Sequence, residues 1–338
     1  MTKSVSVVMA TFNSGPILEK ALKSVRNQIY DQEKIEIVVA DGGSSDGTVE
    51  IIKKFGGRVI SEKTGGPESA KAVALRHAKN EIVLEIDCDN ILPTKNWLKT
   101  MVRVMETEPS ITGCYTWRYR HNPRDKILNR YFALMGANDP VAFFLGRADR
   151  QSYLDDDWSL LGKVSDKGKY FLVEFDKNEI PTLGANGFLI KRRLLNQARV
   201  DEKHFFHIDV NCDLIKKGHR KYAVVKNDII HDSGEGFVEF FLKRKRYMED
   251  LYLRDLSRRR YLLYDKKKDQ KKILAYVFYS LTLVLPTIFA VRGYLKRRDP
   301  AWFLHPIVCW LIMMIYALSV INWQTWNYLG ILKRRLNR

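Results

Sequence analysis

From the N-terminus to about residue 110, short apolar runs rich in β-branched residues alternate with stretches whose apolar positions recur at helical spacing. VSVVMA (5–10), KIEIVVA (34–40), GRVIS (57–61) and EIVLEI (81–86) read as strands. Between them, PILEKALKSVRNQ, VEIIKKF and GGPESAKAVALRHAK read as helices entered through turns. Strands joined by single helices predict βαβ units, an α/β fold class and a mostly parallel sheet flanked by helices. Ligands of such sheets bind beyond the carboxyl ends of the strands. Thr11, Asp41, Asp87 and Asp89 all fall at those ends, so four polar side chains are expected around one crevice.

The pattern loosens further on. ITGCYTW (111–117), YFLVEF (170–175) and GFLIKR (187–192) read as strands, and IDVNCDLIKKG (208–218) as a helix closed by Gly218. Residues 120–170 are polar and aromatic without clear period, as expected of an insertion that faces substrate. Residues 236–272 mix aromatic and basic positions at helical spacing and read as an amphipathic surface or interfacial helix region. The stretch 273–291 then runs nineteen residues without a charge, enough to span a bilayer, and a second such segment runs from Ala301 to about Ile321. The division is therefore 1–235 as the α/β domain, 236–272 as the interfacial region, and 273–338 as two transmembrane or membrane-embedded helices. Basic flanks at 266–272 and 333–338 place both ends in the cytoplasm if both segments span. The connecting loop RGYLKRRDP is basic too, which opposes that topology and keeps a re-entrant or interfacial arrangement open.

Charge sharpens this. The formal net charge is +18, and much of the excess lies after residue 240, beside the most apolar segments. Basic clusters bordering apolar spans point to a membrane surface, and the absence of a basic stripe across the soluble part excludes nucleic acid as the expected partner. The four cysteines, at 88, 114, 212 and 309, are scattered without metal-ligand spacing and read as thiols in a reducing cytoplasm. MTKSVSVVMATFN has too short an apolar stretch for a signal peptide, so the α/β domain is expected at the cytoplasmic face of the cell membrane.

The chemistry gathers at the strand ends. In EIVLEIDCD, Asp87 and Asp89 stand two apart where a strand frays, the spacing that points both carboxylates one way on extended chain. Hard Mg²⁺ or Mn²⁺ takes a few carboxylates together with phosphate oxygens. DGGSSDGT (41–48) follows the second strand, with Asp41 able to accept from a base or ribose and Asp46 able to cap the next helix. ATFN (10–13) adds a third polar loop to the same edge.

Together and in this order, these pieces resemble the GT-A fold of family 2 glycosyltransferases, inverting enzymes that use nucleotide-diphosphate sugars. The resemblance covers roughly 1–250. It implies that Thr11 and Asn13 border the nucleotide, Asp41 binds the base, Asp87 the ribose or base region, and Asp89 the Mn²⁺ or Mg²⁺ that bridges the phosphates. Gly66 with Lys71 or Arg76 would stand beside the donor, and Asn186 and Gly187 would line the acceptor pocket. His231 matches an additional metal ligand, while Lys243 and Arg246, with Tyr247, fall where the family holds the leaving pyrophosphate. The family's acidic pair is altered in FFHIDVNCDLIKKGHR: Asp209 is the expected catalytic base, Asp213 the second candidate, with a role for His207 open. The membrane segments imply a lipid-linked acceptor, a lipid-linked saccharide or polyprenyl phosphate; the contrasting expectation is a catalytically inactive nucleotide-binding membrane protein.

Overall fold

β-branched, doubly buried runs build one half of the sheet as expected. A computed structural model describes residues 3–63, 66–201, 203, 205–234, 236–254, 259–262 and 265–336. Its first strands are β1 (Val5–Thr11), β2 (Ile35–Asp41), β3 (Arg58–Ser61) and β4 (Ile82–Glu85). They are joined by α1 (Gly15–Arg26), α2 (Thr48–Lys54) and α3 (Gly66–His77), and pair in the order β3-β2-β1-β4, all parallel. Leu18, Leu22 and Val25 of α1 pack on one face, and Ala70, Val73 and Ala74 of α3 on the other. Helices on both faces explain why β1 and β2 are apolar at nearly every position rather than at alternate ones.

The other half departs from a parallel sheet. After β5 (Asn90–Ile91), α4 (Trp97–Thr107) and β6 (Gly113–Tyr119) come α5 (Ile127–Met135), α6 (Pro140–Phe144), β7 (Lys163–Asp166) and β8 (Tyr170–Glu174). Then follow β9 (Phe188–Lys191), α7 (Arg192–Leu195), α8 (His207–Lys216) and β10 (Lys221–His231). The sheet continues from β4 as β9-β6-β10-β8-β7, with β5 on β10. β9 runs antiparallel to both β4 and β6, so the sheet is mixed. The approach there is close: a Cβ on Gly113 would lie 2.3 Å from the Leu189 carbonyl oxygen.

β10 was not among the expected strands, although KYAVV carries the β-branched signal. Its polar second half hides it, because that half reaches past the core to the crevice and bulges against β6 between Val225 and Asp228.

The chain ends in α9 (Phe237–Tyr247), a π-helical turn (Met248–Arg254), α10 (Lys266–Thr282), α11 (Val284–Lys296) and α12 (His305–Leu336). The stretch 273–291 is not one straight helix, since α10 and α11 meet at a bend of 80°. Among the described residues one helix, Pro300–Thr325, is long and apolar enough to cross a membrane. α10, α11 and α12 share a third core with α5 and α6, around Tyr131, Phe132, Tyr276 and Trp302. Parts of the basic runs at 255–258, 263–264 and 337–338 lie outside the described residues.

Candidate active site

The loops after β1 and β2 are stitched into one rim. Thr11 and Asp41 face each other in register, and Gly42 N donates to Thr11 O at 2.9 Å. Asn13, in the left-handed region at φ 47°, donates through its backbone N to Ser44 Oγ at 2.8 Å, and its Oδ1 accepts from Ser45 N at 2.9 Å. The Asp41 carboxylate accepts from Gly43 N and Ser44 N, each at 3.0 Å, and from Ser44 Oγ at 2.5 Å, so it shapes its own turn. Asp46 accepts from Gly15 N and Thr48 N, tying the start of α2 to that of α1. Between the loops Phe12 is 61 % exposed, a ring at the crevice mouth that the polarity pattern did not single out. The Thr11 hydroxyl is buried without a hydrogen-bond partner among the described residues.

Asp87 and Asp89 do not point the same way. β4 ends at Glu85, so the two carboxylates stand on a turn, held by the hydrogen bond from Asp87 N to Asn90 Oδ1 at 2.9 Å. Asp87 reaches to α3, where Lys71 Nζ lies 2.8 Å away; Asp89 reaches to the end of β10, where His231 Nε2 lies 3.3 Å away. Burial would raise the Asp89 carboxyl, but His231 and Lys243 outweigh it and hold it at about 2. Burial would likewise depress His231, and Asp89 outweighs it, so the imidazole is raised. Asn90 donates to Asp89 Oδ1 and to Asn186 Oδ1, which places the expected acceptor residue Asn186 beside the Asp89 turn. Asn186 also donates to the Tyr119 hydroxyl at 3.0 Å, and Arg150 donates to its carbonyl at 2.7 Å. Gly187, at φ 86°, has no room for a Cβ, which would meet Ile229 at 2.6 Å.

A charged floor runs from Asp87 to the start of α8. Lys71 lies 3.9 Å from Glu68 Oε1, and Glu68 Oε2 lies 3.3 Å from His207 Nδ1. Burial would lower the Lys71 ammonium, yet Asp87 and Glu68 hold it raised. Against its own burial, Glu68 is held at about 2 by His207 and Lys71. Gly66 opens α3 at φ 74°, and Arg76, near the other end of that helix, is exposed, so Lys71 is the cation of the pair that meets Asp87.

The expected base sits elsewhere. Asp209 is fully buried and accepts from Arg260 N at 2.9 Å, Tyr261 N at 3.1 Å and Arg259 Nε at 3.4 Å. With both oxygens engaged, it ties α8 to the 259–261 segment. Asp213 pairs with Arg260 at 2.9 Å and receives Arg199 N. His207, at the first position of α8, is the group that faces Glu68. On α9, Arg246 is exposed, while Lys243 lies near enough to lower Asp89.

Glu85 is a residue the periodicity concealed, although it is the one acidic break in IVLEI. It is buried beside Lys71, Asp87 and Asn186 in a small cavity, and burial pushes its carboxyl up to about 8. The native protein therefore keeps a proton that the unfolded chain releases from about pH 4.5 upward, so this group's contribution to stability falls as pH rises to about 8. Glu85→Gln is expected to raise the melting temperature relative to the parent at pH 8–9 and to change it little near pH 5. Differential scanning fluorimetry across that range checks the sign.

A mixed sheet whose parallel edge gathers carboxylates at strand ends, closed by a late strand that returns an imidazole to them, is the GT-A architecture. The chain belongs to glycosyl transferase family 2, whose family model matches residues 6–195. It is 33% identical over 96 residues to poly(ribitol-phosphate) beta-N-acetylglucosaminyltransferase TarP of Staphylococcus aureus, which covers 27% of this chain and 29% of that protein. Over 144 residues it is 29% identical to glycosyltransferase GlyG of Streptococcus pneumoniae, covering 40% of this chain and 45% of that protein. The chain thus spans less than half the length of these curated relatives. The fold is also that of the mannosyltransferase PcManGT from Pyrobaculum calidifontis, solved with GDP-Man and Mn²⁺, at a TM-score of 0.51 and 18% identity over 97% of this chain and 88% of that one.

Proposed function

We propose that the chain is an inverting glycosyltransferase that moves a sugar from a nucleotide-diphosphate donor to a lipid-linked acceptor, a saccharide or polyprenyl phosphate, at the cytoplasmic membrane face. The observation that carries the reading is the Asp89–His231 pair, one oxygen and one nitrogen ligand 3.3 Å apart, beyond the end of β4, which runs parallel to β1. Among the described residues no three His, Cys, Asp or Glu side chains gather into a complete metal cage. Two ligands leave coordination positions for diphosphate oxygens, which suits Mn²⁺ or Mg²⁺. When bound, such an ion neutralises negative charge on the departing nucleoside diphosphate.

The protein's own groups do the rest. Thr11, Asn13 and the Asp41 turn border the nucleoside, with the Phe12 ring as a stacking surface for its base. Asp87, held by Lys71, accepts from the ribose, and Lys243 and Arg246 approach the diphosphate from α9. Asn186 and Gly187 line the acceptor side. His207, oriented by Glu68, takes the proton of an acceptor hydroxyl; an acceptor phosphate is already ionised and needs no base. Support for the membrane setting comes from the exposed apolar faces of α10, α11 and α12 and their basic flanks.

The displaced acid at Asp209 favours one competing reading, a nucleotide-binding membrane protein without turnover. A thermal-shift screen of UDP- and GDP-sugars with and without Mn²⁺, followed by a hydrolysis assay, separates the two. A ligand at one hundred times its Kd stabilises by about 2.7 kcal/mol, so a clear rise in melting temperature is expected only with donor and Mn²⁺ together. A rise without hydrolysis or transfer favours the inactive reading, and no rise with any donor overturns both.

A further inference from the structure

The bent pair α10–α11 has both of its ends fastened to the same globular unit. At the start of α10, Asp269 forms a buried, two-bond ion pair with Arg147, at 2.6 and 2.9 Å. At the end of α11, Lys296 donates to Leu154 O at 2.6 Å and pairs with Asp156 at 2.9 Å. Just beyond it, Asp299 is buried against His121 at 2.6 Å and Arg130 at 3.4 Å. Buried charged pairs of this kind are costly to separate, since each partner would be left desolvated and alone. A straight span through 273–291 would leave Asp269 with Arg147 but carry residues 296 and 299 to the far side of a bilayer, breaking the contacts of Lys296 and Asp299 with the globular unit.

The dimensions agree with the anchoring. At 1.5 Å per residue, the 17 residues of α10 and the 13 of α11 make limbs of about 25 and 20 Å. Joined at an 80° bend, they lift their apex about 14 Å from the line between their ends, close to half of a hydrocarbon core about 30 Å thick. The uncharged stretches 273–282 and 284–291 each hold about half or less of the roughly 20 residues a span needs. The inner side packs on α6, Phe144 against Tyr276 and Tyr279, and Phe143 against Phe289. The outer side is apolar and exposed, with Leu274, Phe278, Leu281, Val284, Ile288 and Leu295 each 57–65 % accessible. Lysines at 266–268, 271 and 272 stand at one end, and Arg292, Lys296, Arg297 and Arg298 at the other, so both ends suit the same anionic surface.

Resting on the membrane setting proposed above, we infer that α10 and α11 form a re-entrant wedge seated in the phospholipids of the cytoplasmic leaflet alone, with residues 266 and 299 on the same side as the active site. The wedge then holds the crevice at the height of lipid headgroups, where the reactive end of a lipid-linked acceptor lies.

The test uses the full chain in sealed inside-out and right-side-out membrane vesicles from expressing cells. Arg298→Cys and, as a marker of the α/β domain, Lys53→Cys are treated with a membrane-impermeant maleimide, and labelled peptides are mapped by mass spectrometry against the parent. Both sites are expected to label in inside-out vesicles and to be protected in right-side-out ones. Val284→Cys, carrying an environment-sensitive fluorophore, is expected to be quenched by brominated lipid in reconstituted vesicles. Labelling of Arg298→Cys from the face opposite to Lys53→Cys overturns the wedge and leaves the membrane setting intact. Recovery of the parent protein in the soluble fraction, with no quenching of the Val284→Cys probe, overturns the membrane setting and the wedge with it.

Discussion

Asp89→Ala lowers sugar transfer by about a thousandfold and abolishes its response to Mn²⁺: this is the expected result with the largest effect. Several kcal/mol of charge stabilisation are lost with a metal held on the leaving group, and each 1.36 kcal/mol is a factor of ten. The fold should tolerate the change. Asp89 contributes its backbone carbonyl, not its side chain, to the hydrogen bond from Asp232 N that joins the turn to the end of β10. The same substitution removes the carboxylate that raises His231 and leaves the imidazole as a lone ligand, too few to hold the ion. Steady-state transfer with Mn²⁺ varied, read beside the melting temperature of the apo protein, checks both halves. Activity within tenfold of the parent would place the metal site elsewhere.

His207→Ala and Asp209→Asn are expected to fail in opposite ways. Loss of a positioned base costs about 10²- to 10⁴-fold, so His207→Ala should lower kcat on a hydroxyl acceptor by that much with little effect on stability. Glu68→Gln should give a smaller loss and a shifted pH–rate profile, because Glu68 acts through the imidazole it holds at 3.3 Å. Asp209→Asn should instead lower stability, since its buried oxygens accept two backbone N–H groups and an arginine. Leaving such groups poorly matched costs about 1–3 kcal/mol. Urea unfolding and kcat of the folded fraction separate the two. A folded Asp209→Asn protein with a thousandfold lower kcat would return the base to Asp209. Equal activity of His207→Ala and parent on a phosphate acceptor is the pattern expected if no base is required.

The elements legible in the chain are those whose signal is local. VSVVMA and KIEIVVA form strands because nearly every side chain must be apolar between two helix layers, and period and composition record that directly. IDVNCDLIKKG forms a helix and stops where Gly218 takes φ 96°, a conformation that favours glycine. The strand-end positions of Thr11, Asp41, Asp87 and Asp89 follow from the same local reading.

What the chain by itself determined was thus the parallel half of the sheet, its polar edge and the apolar character of the last helices. Which partners those polar groups choose was decided only in three dimensions. Asp87 and Asp89 part because the turn after β4 aims one at Lys71 and the other at His231, and no spacing of two residues encodes that divergence. Asp209 faces a distant loop while its neighbour His207 faces Glu68, because helical turn and burial separate positions two apart. The uncharged run 273–291 folds back at Leu283 because Asp269 and Asp299 find buried partners on one body, a constraint that hydropathy along a single segment does not contain.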